Sequence, residues 1–70
     1  MKISARNQLK GTVVSITDGA FNAIVVIEIS SGDRISATIS MEAVRELGLQ
    51  VGSEAYAIIK ATSVMVGVPD

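Results

Sequence analysis

Short runs rich in β-branched residues, with apolar positions spaced two apart, make up most of this chain. A period of two places alternate side chains on the two faces of an extended strand, whereas an amphipathic helix requires a period of 3.6. The pattern therefore predicts five strands, which are Thr12–Thr17, Ala23–Ser30, Arg34–Ile39, Ala55–Ile59 and Thr62–Val66.

The breaks between the first strands contain residues that form tight turns. Asp18-Gly19 separates the first two runs, and Ser31-Gly32-Asp33 separates the next two. Because glycine adopts positive φ at little cost, both breaks favour antiparallel hairpins. In the run from Ile24 to Ile27 both faces are apolar, which predicts that this strand is covered on one side by a barrel interior and on the other by a neighbouring subunit.

One segment, Ser40–Gly48, departs from the strand pattern. It begins with a serine suited to an N-cap, has apolar residues at helical spacing and ends on a glycine, so it predicts one short helix. Three strands, a short helix and two more strands indicate an all-β domain with one short helix. We expect a five-stranded Greek-key barrel of the OB type, with an SH3-like barrel as the alternative.

The chain is too short to bury much apolar surface by itself. Its 70 residues form a single expected domain, 1–70, and a domain of this size buries only about 60% of the surface that its unfolded chain exposes. Yet 49% of the residues are hydrophobic, and there is no Cys or His for disulfides or the commonest metal sites. Burial between identical copies is the simplest remaining source of stability, so we expect a homo-oligomer.

Charge and residue types disfavour several functional classes. The net charge is −1, and Phe21 and Tyr56 are the only aromatic residues, whereas OB modules that bind nucleic acid use basic grooves and stacking aromatics. The apolar stretch from Ala23 to Ile27 is far too short for a membrane span, and no signal-peptide core follows Lys2, so we expect a cytoplasmic protein. Without His or Cys, and with its acidic residues scattered, the chain is not expected to be an enzyme.

A donor-rich segment near the N-terminus offers the clearest candidate for ligand binding. Alternation in an extended chain would place Ser4, Arg6, Gln8 and Lys10 on one face. A rotatable hydroxyl beside the fixed donor fork of a guanidinium suits an oxyanion. The alternative interpretation is a polar strand edge whose cations lie in solvent.

Two further groups of donors occur later in the chain. Lys60 ends an apolar run, and Thr62 follows two residues later on the same side. Ser40 begins the predicted helix, whose N-terminus carries unpaired N–H groups and partial positive charge. Both have simpler structural interpretations. In these, Ser40 is an N-cap without a ligand, and Lys60 is a lysine that extends into solvent at the end of a strand.

Several of these stretches together resemble the molbindins, small cytoplasmic molybdate-binding proteins built from a Mop domain. The resemblance runs from Met1 to Gly67. It is carried by Ser4-Ala5-Arg6-Asn7-Gln8-Leu9, Gly11-Thr12-Val13, Ile39-Ser40, Leu47-Gly48-Leu49, Gly52 and Ile59-Lys60-Ala61. The same module occurs in molybdate-responsive transcription regulators and transport ATPases.

The resemblance implies an OB-type homohexamer, a trimer of dimers, that holds molybdate or tungstate between subunits for storage, buffering or delivery, with no organic cofactor. The implied oxyanion contacts are Ser4, Ala5 and Arg6 from one subunit, with Ser40, Lys60 and Ala61 or Thr62 from another. Asn7 would serve a further site near a threefold axis. Where related regulators have a second hydroxyl after the helix start, this chain has Ala43, so that contact is absent or replaced. A nucleic-acid-binding module and a purely structural barrel are the alternative functions.

Overall fold

The computed structural model describes all residues, 1–70, and contains four strands, one α-helix and a 3₁₀ turn. In chain order these are β1 (Asn7–Asp18), β2 (Asn22–Ile29), β3 (Arg34–Ser40), α1 (Met41–Leu47), β4 (Glu54–Ile59) and the 3₁₀ turn Ala61–Ser63. The strands form one antiparallel sheet in the order β3-β2-β1-β4. A mostly β chain with one short helix is therefore confirmed. No helix has the length and apolar character needed to cross a membrane.

The long strand β1 curls the sheet because its two halves have different partners. From Gly11 onward it pairs with β2, and from its start to Thr12 it pairs with β4. A register shift between Val13 and Ser15 marks a β-bulge, which bends the strand and increases its twist. At the overlap, a Cβ on Gly11 would lie 2.4 Å from the carbonyl oxygen of Glu28, so the close approach of β1 to β2 requires glycine.

The helix α1 has the two ends that the sequence predicts. Ser40 is its N-cap, with a side-chain Oγ that accepts a hydrogen bond from the backbone N–H of Ala43 at 3.0 Å. Gly48 closes the helix in the left-handed conformation at φ 63°, and its N–H donates to the carbonyl of Arg45. The helix packs Val44 against the sheet, so it closes one end of the core.

The core is small, as the chain length predicts. Its buried side chains come from three strands and the helix, and they are Val13, Ala23, Val25, Ile27, Val44 and Ala57. In β2, Val25 is buried whereas its neighbour Ile24 is 47% exposed. A single chain therefore covers only one of the two apolar faces of this strand.

The prediction of a fifth strand over Thr62–Val66 is wrong for the single chain. Residues 61–63 form the 3₁₀ turn, in which the N–H of Ser63 donates to the carbonyl of Lys60. The following residues are extended but pair with no strand. Period-two alternation shows that a segment can be a strand, but it does not show that a hydrogen-bonding neighbour exists.

Candidate functional site

Two segments that are distant in sequence meet at one end of the sheet. Asn7, the first residue of β1, pairs with Ile59, the last residue of β4, so the residues before Asn7 lie beside those after Ile59. Between them is a pocket of about 390 Å³. Its lining consists of Ile3, Ser4, Ala5, Arg6, Ile58, Lys60, Ala61 and Thr62.

Two amide side chains hold the segments that form this pocket. The Nδ2 of Asn7 donates to the carbonyl oxygen of Ile59 at 3.2 Å, which ties the start of β1 to the residue before Lys60. The Nε2 of Gln8 donates to the carbonyl oxygen of Ala5 at 3.0 Å. In the single chain, Asn7 and Gln8 thus position the donors of the pocket. The expectation that Asn7 serves a further site near a threefold axis stays a prediction.

The pocket is electropositive because it holds two cations and no acid. Arg6 and Lys60 line it, and no Asp or Glu is among the lining residues. The only ion pair in the chain joins the exposed side chains of Lys10 and Glu54, whose Nζ and Oε1 atoms are 3.8 Å apart. Neither pocket cation is therefore neutralised by a carboxylate, which leaves both available to an anion.

Hydrogen-bond donors accompany these cations. Ser4 and Thr62 contribute hydroxyls, and the backbone N–H groups of Ala5 and Ala61 make no hydrogen bond within the chain. No imidazole, thiol or carboxylate lines the pocket. The arrangement offers charge and donors to a small oxyanion.

The structure brings together six of the eight sequence-predicted site residues, namely Ser4, Ala5, Arg6, Lys60, Ala61 and Thr62. All six belong to one chain, although the resemblance implied that Lys60 to Thr62 come from a second subunit. Ser40 lies elsewhere, opposite Asn22 of β2 at the start of α1.

The expected strand face of Ser4, Arg6, Gln8 and Lys10 is wrong, because β1 begins only at Asn7 and the first two residues precede it. Gln8 and Lys10 line a separate groove. The sequence reasoning also missed Ile3 and Ile58, which form the apolar part of the pocket. Their signal was their position, directly before Ser4 and two residues before Lys60.

Comparison with known proteins places this architecture among molybdenum-associated proteins. The family model described as the TOBE domain matches residues 3–66. A probable molybdenum-pterin-binding protein of Haemophilus influenzae is 71% identical over 68 residues, which cover 97% of this chain and 99% of that protein.

Solved structures give the same result. A molybdate-binding protein from Sporomusa ovata matches with a TM-score of 0.91 at 37% identity, covering 97% of this chain and 100% of that one. The cytoplasmic molybdate-binding protein ModG, solved with molybdate bound, matches with a TM-score of 0.94 at 48% identity. That match covers 99% of this chain and 49% of ModG.

Proposed function

Because this chain belongs to the TOBE-domain family, among its small molybdenum-pterin-binding (Mop) members, we propose that it binds molybdate unchanged in the pocket between residues 3–6 and 58–62. The observation that carries the proposal is the convergence of two unpaired cations, Arg6 and Lys60, from opposite ends of the sequence. The molybdate bound to ModG, a protein whose matched half has the same fold, supports the choice of ligand.

Each donor has a physical role in this proposal. Molybdate is a compact dianion, and it must exchange part of its hydration shell for protein donors. The guanidinium of Arg6 presents a planar fork to two oxygens, whereas the ammonium of Lys60 acts as a compact point charge. Hydroxyls of Ser4 and Thr62 and the free N–H groups of Ala5 and Ala61 complete the shell.

The free energies of these hydrogen bonds are sufficient for micromolar binding. Each hydrogen bond to a charged group contributes about 1.5 to 3 kcal/mol, and micromolar affinity requires about 8 kcal/mol net. A few such bonds therefore offset the desolvation of the anion and the ordering of the side chains.

We further propose that a neighbouring subunit completes the pocket within a homohexamer, a trimer of dimers, and contributes Ser40. The Oγ of Ser40 accepts from Ala43, so its own hydrogen stays free to donate to an anion. The exposed side chains of Ile3 and Ile58 beside the pocket give that neighbour an apolar surface to cover. Tungstate has the same shape and charge as molybdate, and storage, buffering or delivery in the cytoplasm would all use this site.

Equilibrium dialysis tests the proposal directly. The wild-type protein should retain molybdenum when dialysed against micromolar molybdate, and an Arg6→Ala/Lys60→Ala variant should not. Arg34→Ala is the matched control, because this exposed cation at the start of β3 is not part of the pocket. No retention by the wild type at millimolar molybdate would favour the alternative of a purely structural barrel.

A further inference from the structure

Phe21 is an aromatic side chain that its own chain leaves in solvent. It lies in the turn between β1 and β2, is 84% exposed and takes no part in the core. Single exposed apolar residues are common on protein surfaces, so the surroundings of Phe21 decide what it can do.

The backbone of Phe21 is held in place on both sides. Its carbonyl oxygen accepts a hydrogen bond from the N–H of Met41, the first residue of α1, at 2.8 Å. In the same turn, the N–H of Gly19 donates to the carbonyl oxygen of Asn22 at 2.8 Å. An aromatic side chain on a fixed backbone has only two rotatable bonds to order, so it loses little entropy when a partner covers it.

The same contacts place Phe21 beside Ser40. Asn22, the next residue, pairs with Ser40 across β2 and β3, and the Cα atoms of such partners are about 5 Å apart. Ile39 and Met41, which flank Ser40 in sequence, are half-buried and pack against the core. Phe21 is therefore the exposed apolar side chain that accompanies Ser40 at this end of the molecule.

The pocket formed by residues 3–6 and 58–62 has an apolar wall that one chain leaves open. Ile3 and Ile58 line it and are 48% and 39% exposed. The pocket volume is about 390 Å³, whereas a water molecule takes up about 30 Å³, so an anion of four oxygens fills roughly a third of it. The rest of the space is available to a side chain of a neighbouring subunit.

We propose that Phe21 of a neighbouring subunit enters this pocket, covers Ile3 and Ile58 and closes the bound anion off from water. The inference rests on the proposed function, in which the neighbour already brings Ser40 to the pocket. The ring carries no hydrogen-bonding group, so it does not compete for the donors, and its edge has partial positive charge. Exclusion of water strengthens the attraction of the two pocket cations for the anion and slows its release.

The release of labelled molybdate into an excess of unlabelled molybdate tests this role in the full chain. Phe21→Ala should release the anion at least about tenfold faster than the wild type, and Phe21→Leu, which keeps an apolar side chain, should stay close to the wild type. Val51→Ala is the matched control, because Val51 is an apolar, 65% exposed residue in the turn before β4. Release from Phe21→Ala at the wild-type rate would overturn the proposal.

Fluorescence provides a second measurement that does not require the loss of a contact. The chain has no Trp, so the indole emission of a Phe21→Trp variant reports this position alone. The emission should move to shorter wavelength when molybdate is added to the assembled protein, because the ring leaves water. Leu47→Trp, at a 68% exposed position at the end of α1, is the control. Emission at position 21 that stays typical of indole in water, or an equal response at position 47, would contradict the proposal.

The outcomes separate this inference from the function on which it rests. If the wild type retains no molybdate in dialysis, the proposed function fails. If the wild type retains molybdate and Phe21→Ala releases it no faster, only the role of Phe21 is lost, and the pocket of Arg6 and Lys60 remains the binding site.

Discussion

At the scale of single residues, Arg6 and Lys60 are the best test of the binding site, because no carboxylate shares their charge. Replacing either with alanine should weaken molybdate binding about 10- to 100-fold, the equivalent of one charge-assisted contact. Titration calorimetry measures the affinity, and Arg34→Ala should leave it nearly unchanged. Equal losses in all three variants would show that the overall field of the protein, and not this pocket, attracts the anion.

Gly11 lies where β1 and β2 approach too closely for a side chain. An added Cβ would lie 2.4 Å from the Glu28 carbonyl oxygen and 2.7 Å from the Cγ2 of Ile27, so β1 and β2 would have to separate. We expect Gly11→Ala to lower the free energy of unfolding by about 1 to 3 kcal/mol, the usual cost of overpacking. Urea denaturation measures it. Gly67→Ala, whose Cβ would meet nothing within 4 Å, is the control, and equal stability of the two variants would contradict the steric explanation.

At the scale of secondary-structure elements, the start of α1 has two roles for one side chain. Ser40 caps the helix, and we propose that it also contacts the anion bound by a neighbouring subunit. Ser40→Ala should lose the cap and about 0.5 to 2 kcal/mol of stability, as thermal unfolding would report. Ser40→Asp retains a capping oxygen but places a negative charge at the proposed contact. It should therefore be as stable as the wild type and bind molybdate more weakly.

The two variants of Ser40 separate the roles because each removes a different property. If Ser40→Asp binds molybdate as the wild type does, Ser40 is only a cap, and the proposed contribution of a second subunit at this position fails. The pocket residues of the first subunit would be unaffected by that result.

Elements with purely local signals could be predicted from the sequence. The cap at Ser40, the left-handed Gly48 and the alternating strands β2 to β4 all depend on neighbouring residues, and the structure has them within one or two positions of the predicted bounds. The predicted first strand began at Thr12, five residues after the observed start of β1, because Asn7–Gly11 carries no strong apolar alternation. It is a strand because β4 pairs with it.

Features that depend on distant pairing could not be predicted in the same way. Donor types in Ser4–Arg6 and Lys60–Thr62 were visible in the sequence, but their convergence in one chain follows from the register of Asn7 with Ile59. The prediction of a fifth strand over Thr62–Val66 failed for the corresponding reason, since this segment has strand character in sequence but no pairing partner in the sheet of its own chain. Sequence alternation reports what a segment can do, and the sheet decides whether a neighbour is present.

At the scale of the whole molecule, anion binding and stability should be linked. The core is small, and two uncompensated cations line the same pocket, so bound molybdate would offset the repulsion between them. A ligand at 100 times its Kd stabilises the folded state by about 2.7 kcal/mol. For a domain of this size that corresponds to a rise in Tm of roughly 10 to 20 °C.

Scanning calorimetry with and without molybdate checks this expectation, and the Arg6→Ala/Lys60→Ala variant should show little or no rise in Tm.

Dilution of the protein distinguishes a site formed within one chain from a site that a second copy completes. If a second copy completes the pocket, lowering the protein concentration should weaken the apparent molybdate affinity. Dilution shifts the assembly equilibrium toward separate subunits, and these bind molybdate poorly. An affinity that is independent of protein concentration across the dissociation range would place the whole site within one chain, where Ser4–Arg6 and Lys60–Thr62 already meet.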